Sequence, residues 1–129
     1  VTIEELLVEH LETDDAVAAL VEDRIFPVRK PDGTKHPLIV YRRISTLTTV
    51  THDGPGLRGP RFEFSCWGAT ETEARQVRRA VAAAFDSVRT PDFHSFVDNE
   101  GEAYDPTPAL PRAIVDVRIW FDPAIEAAS

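Results

Sequence analysis

Apolar positions along this chain keep two rhythms. Near the start, Ile3, Leu6, Leu7, His10 and Leu11 recur three and four residues apart, which predicts an amphipathic helix over residues 3–12. Thr2 followed by Glu5 supplies a Thr-x-x-Glu capping box for it. Thr13 or Asp14 offers a fresh cap, with Val17, Leu20 and Val21 on one side of a second helical turn that continues or kinks the first. The rhythm returns after the second box, Thr70 with Glu73, where Ala74, Val77, Val81, Ala84, Phe85 and Val88 mark a helix over 71–88.

The other rhythm is alternation. LIVYRRISTLTTV (38–50) is rich in β-branched and aromatic residues and predicts a long strand with both faces covered somewhere along its length. In RFEFSCWGA (61–69), Phe62, Phe64 and Cys66 oppose Glu63, Ser65 and Trp67. In RAIVDVRIWF (112–121), Ala113, Val115, Val117, Ile119 and Phe121 form a core face opposite Ile114, Asp116, Arg118 and Trp120. THDGPGLRGP (51–60) between the first two strands reads as the mobile tip of an antiparallel hairpin. RIFPVRKPDGTKHP (24–37) reads as a brief extended piece and a surface loop, and DFHSFVDNEG (92–101) as weak alternation ending in a turn. The order predicts an α+β fold, a mostly antiparallel sheet with a long hairpin and two main helices packed on one face. Residues 1–123 form one domain in this reading and 124–129 a flexible C-terminal tail.

Length fits that picture, since 129 residues bury one core and not two. Charge narrows the partners: 22 acidic against 14 basic side chains, net −8, disfavour adhesion to nucleic acid or anionic membrane. No apolar run approaches the ~20 residues of a membrane-spanning helix, and the first residues lack a signal-peptide pattern, so a cytoplasmic site of synthesis and use is expected.

Candidate chemistry is sparse. His10, His36, His52 and His94 share no metal-ligand spacing, and Cys66 lies alone on an apolar strand face that silences a thiol. The acid pairs Glu4–Glu5, Asp14–Asp15 and Glu71 with Glu73 sit at helix starts, where the dipole accounts for them. The glycines of DGPGLRGP lack the Gly-Lys-Ser/Thr of a phosphate loop. Arg75, Arg78 and Arg79 share the polar side of the long helix with Glu71 and Glu73, as a solvated or protein-contacting face does. No catalytic, cofactor or metal site is assigned. Trp67 and Trp120 carry more information, because large aromatics opposite a core face need cover, from a local loop or from a neighbouring subunit.

With LVEDRIFP, HPLIVYRRIS, DGPGLRGPRFEFSCWGATETEARQVRRAVAAAF and RAIVDVRIWF in this order, the chain resembles the tail-completion, or tail-terminator, family of long-tailed bacteriophages and gene transfer agents. The resemblance spans about Leu6 to Phe121 and is weakest over TPDFHSFVDNEGEAYDPTPALP. It implies a virion protein of the tail neck, assembled in the host cytoplasm. It further implies a ring, usually of six copies, that ends tube growth and meets the head connector, with no cofactor. Self, the tail tube protein and the head-tail connector or stopper are the partners it implies, with genomic DNA passing through unbound. On that reading His52, Asp53, Gly54, Pro55, Gly56, Leu57, Arg58 and Gly59 are a candidate docking loop, and Trp67, Trp120, Arg118 and Arg43 a candidate subunit interface. Two alternatives stand beside it: a head-completion or stopper protein one layer up, and a small cytoplasmic enzyme using His52, Asp53 and His94.

Overall fold

A computed structural model describes residues 2–29, 33–51, 54–105, 110–122 and 124–127. Helix α1 (Ile3–Thr13) starts where the Thr2 hydroxyl accepts the Glu5 N–H at 3.2 Å, and it buries Ile3, Leu7 and Leu11. It does not run on into the next helix. Asp14 is extended, and its carboxylate accepts the N–H groups of Ala16 and Val17 at 3.1 Å each, so one residue ends α1 and begins α2 (Asp15–Val21). Helix α3 (Glu71–Phe85) opens on Thr70, whose hydroxyl accepts the Glu73 N–H, while the Glu73 carboxylate reaches back to the Ala69 N–H at 2.9 Å. Gly68 fits under this cap because a Cβ there would lie 2.6 Å from the Ala74 nitrogen.

Six strands follow in chain order: β1 (Ile25–Pro27), β2 (Leu38–Thr51), β3 (Gly54–Trp67), β4 (Val88–Arg89), β5 (His94–Asp105) and β6 (Leu110–Trp120). They form one sheet in the order β1-β2-β3-β6-β5-β4, antiparallel except for the β1–β2 pair. The core lies between one face of this sheet, with Ile39, Phe62, Phe64, Cys66, Val115, Val117 and Ile119, and the apolar sides of α1, α2 and α3. Phe64 stacks on Phe85 of α3 with centroids 5.1 Å apart, and both rings are almost wholly removed from water. Each such ring contributes about 2–3 kcal/mol by burial alone. The expected α+β layout, helices on one face of a mostly antiparallel sheet, is the one observed.

Several stretches differ from expectation. Residues 54–60 are strand and not a mobile loop, since β3 begins at Gly54 and the ladder runs Thr46↔Pro60, Leu47↔Gly59, Thr48↔Arg58, Val50↔Pro55 and Thr51↔Gly54. The β-branched run of β2 offers a template strong enough to order a glycine-rich partner. His52 and Asp53, the remainder of that candidate loop, lie outside the described residues.

Helix α3 stops at Phe85, short of Val88, because Ser87 takes φ +50° and turns the chain into β4. β5 is a full strand despite Asp98, Asn99, Glu100 and Gly101, which are poor strand formers. It shifts register between Val97 and Asn99, and Arg75 and Arg78 of α3 hold Glu102 and Glu100. Beyond Phe121, Ala124–Ala127 forms a short helix, α4, and Ile125 packs half-buried against the core.

Candidate functional site

Strand alternation sends a second set of side chains to the sheet face opposite the core. On β3 these are Arg61, Glu63, Ser65 and Trp67, and on β6 Arg112, Ile114, Asp116, Arg118 and Trp120. Leu38, Val40 and Ser65 are buried at one end of this face, and the rest is half-exposed.

Both tryptophans are partly covered from within the subunit. Arg112, the cross-strand partner of Trp67, places its guanidinium 5.4 Å from the Trp67 ring centroid. The Trp120 ring lies over Gly59 so closely that a Cβ on Gly59 would meet three of its carbons at 2.5, 2.6 and 2.7 Å. Arg118 pins the same point by donating from Nη1 to the Gly59 carbonyl at 2.6 Å. The glycine that reads in sequence as a loop residue is thus the seat of an aromatic ring, a role that only the fold displays.

Arg43 does not belong with the other candidate interface residues. It lies on the helix side of β2, where Nη2 meets a Glu4 carboxylate oxygen at 2.9 Å and the guanidinium sits 5.5 Å from the Phe62 ring centroid. The register explains the separation, since Arg43 faces Phe62 and not Glu63 across the β2–β3 ladder. Trp67, Trp120 and Arg118 do share one face.

Charges cross the middle of that face. Glu63 and Asp116 are direct cross-strand partners, as are Arg61 and Arg118. Like charges at that spacing repel, and Arg42 relieves Glu63 through a 3.2 Å contact. Burial, with the repulsion of Glu63 and Asp98, pushes the Asp116 carboxyl up against the pull of Arg61 and a hydrogen bond with Asn99. One Asp116 oxygen, Oδ1, is shut from solvent with no hydrogen-bond partner.

A carboxyl raised on folding favours the folded state while protonated, so stability falls as pH rises from the ordinary carboxylate range through the raised value. Asp116→Asn is therefore expected to melt higher than the wild type at pH 7. The gap should close as the pH drops well below the ordinary aspartate range, to about 2.5, where both side chains are neutral. Melting curves at the two pH values check this.

The remaining candidates are structural. His10 Nε2 lies 2.6 Å from the Ala84 carbonyl oxygen, with its ring against Phe85 and Phe93. Cys66 is fully buried, and burial pushes its thiol far up, outweighing the charge of Arg78. His94 is exposed and pairs with Trp120 across the ladder. The enzyme alternative also needs His52 and Asp53, which are outside the described residues. Among the described residues no three His, Cys, Asp or Glu side chains converge as metal ligands would.

The arginines of α3 form an ion-pair cluster, with Arg75 on Glu71 and Glu102 and Arg78 on Glu100 and Glu102. Its signal in sequence is a pair of arginines one helical turn apart and a Glu-x-Glu in a strand, legible only once their pairing is known.

The family model for tail completion protein gp17 matches residues 5–122 of the chain. Among solved structures, a chain of the virion of a native gene transfer agent (GTA) particle shares the fold with a TM-score of 0.74. That match covers 89% of this chain and 90% of the other, at 15% sequence identity. No curated protein matches the sequence.

Proposed function

We propose that this chain, which belongs to the tail completion protein gp17 family, closes into a ring of six copies at the head-proximal end of the tail tube, ends tube growth there and presents the surface that joins the head. As a member of that family it is a structural protein of the bacteriophage tail and not an enzyme. The family match over nearly the whole chain carries the reading.

The fold supports it in two ways. Among the described residues, α1, α2 and α3 cover one sheet face, and Trp67, Trp120 and Arg118 are half-exposed on the other. The β2–β3 hairpin also runs beyond the last β3–β6 pair, Arg61↔Arg118, as a two-stranded ribbon suited to reaching the tube or connector. The net charge of −8 suits a ring through which DNA passes without being held.

Particles made without the chain test the reading by electron microscopy. Tubes of uncontrolled length and unattached heads are the expected result, with a labelled chain restored to the neck by complementation. Tubes of normal length with the label on the portal side would move the chain to the stopper layer. A label absent from the neck would reject both roles.

A further inference from the structure

The two large apolar side chains most open to solvent among the described residues are Val28, 72% exposed, and Phe96, 42% exposed. Val28 follows β1 and Phe96 lies on β5, four strand spacings away in the sheet, about 19 Å. Val28 is held out in a conformation that β-branched residues avoid, φ +65°. Its own N–H bonds the Tyr41 carbonyl at 2.8 Å, and the Arg29 N–H bonds Pro27 at 2.7 Å to close a γ-turn around it.

Charge divides along the same axis. Among the described residues of 24–43, which build the β1–β2 side, five side chains are basic and none is acidic. Residues 86–102, which build the β4–β5 side, carry five acidic side chains and one basic, Arg89, with Glu100 and Glu102 held by Arg78 and Arg75 of α3. In a chain of net charge −8 the first segment is a local reversal of sign. Arg24 and Arg43 are tied to Glu22 and Glu4, but Arg29 and Lys35 are exposed and enter no ion pair among the described residues. The same holds for Asp92 and Asp98 on the other side. Both borders also lack a full outer strand: β1 pairs with β2 only as far as Tyr41, and β4 covers only His94 and Ser95 of β5.

A ring needs two different patches that meet head to tail, whereas a two-fold dimer would set one patch against itself. Setting either border against itself would oppose like charges, which costs binding. We infer that copies of this chain join head to tail, the basic Val28 border of one against the acidic Phe96 border of the next. This rests on the ring reading above.

Charge reversal tests it on tails assembled without the chain, to which purified protein and heads are added and joined particles counted. Arg29→Glu with Lys35→Glu, and separately Asp92→Lys with Asp98→Lys, should each cut joining at least about tenfold. An equal mixture of the two variants should recover to within about threefold of wild type, because each reversed border then meets its complement. Circular dichroism checks that both variants fold, and the milder Arg29→Gln with Lys35→Gln should lose joining in the same direction.

Variants that join heads as well as wild type does would overturn the inference and leave the ring reading standing. Folded variants that fail alone and also fail when mixed would overturn the head-to-tail pairing of these borders. Wild-type protein that restores no joining would overturn the ring reading and the inference together.

Discussion

Gly59→Ala is expected to destabilise the wild-type chain by about 2 kcal/mol and to become neutral or slightly stabilising once Trp120 is also replaced by alanine. The alanine methyl would fall 2.5–2.7 Å from three carbons of the Trp120 ring, far inside van der Waals contact. Arg118 fixes the Gly59 carbonyl and β5–β6 pairing fixes the Trp120 backbone, so neither strand can simply draw back from the contact. Accommodation therefore means swinging an indole into water or bending β3.

Without the ring, only the ordinary effect of glycine to alanine in an extended strand remains. That effect is about 0.4–1 kcal/mol in favour of the folded state, through the lost freedom of the unfolded chain. Urea unfolding of the wild type, both single variants and the double variant measures the coupling directly. A penalty that stays the same in the Trp120→Ala background would show that Gly59 is glycine for another reason.

This pair marks where sequence reading stops. The core faces of β3 and β6 are legible as alternation, because each strand has one face against helices and periodicity reports that. The caps at Thr2 and Thr70 are legible because their partners lie three residues away. Gly59 under Trp120, Arg43 on Glu4 and the hold of Arg75 and Arg78 on Glu102 and Glu100 are contacts between residues 22 to 61 positions apart, and no local pattern encodes them.

Local pattern misleads outright in two places. Glycine and proline over 54–60 signal a loop, yet the threonine-rich run opposite supplies the missing strand propensity. Acidic and amide residues over 98–102 argue against a strand, yet cross-strand pairing with β6 and arginines from α3 hold one there. The candidate interface was half legible for the same reason. Alternation places Trp67, Trp120 and Arg118 on one face, and the same alternation along β2 sets Arg43 with Ile39 and Tyr41 on the core side, which shows once β2 is paired with β3.

Replacing residues 48–58 by Asn-Gly is expected to leave the fold intact and to cut head-tail joining by at least about a hundredfold, the equivalent of roughly 2.7 kcal/mol of lost contact. Leu47 and Gly59 are already cross-strand partners, so a two-residue turn closes the shortened hairpin without moving Gly59 from under Trp120. Among the residues whose side chains are described, the core cluster includes none between Tyr41 and Phe62, and the melting temperature is expected to change little.

The reason to expect so large a functional loss is the composition of the ribbon. From Ile44 to Gly59 its only charged residues are Asp53 and Arg58, and a pair of strands standing alone is marginally stable in water. Natural sheets guard such edges with charge or proline unless the edge is meant to be paired. β2 carries neither guard between Ser45 and Thr51. Six residues of extended chain reach about 20 Å. A shortened chain that melts like the wild type and still joins heads to tails at the wild-type level would show that the ribbon docks nothing. A shortened chain that melts early would instead place the ribbon in the core's own stability.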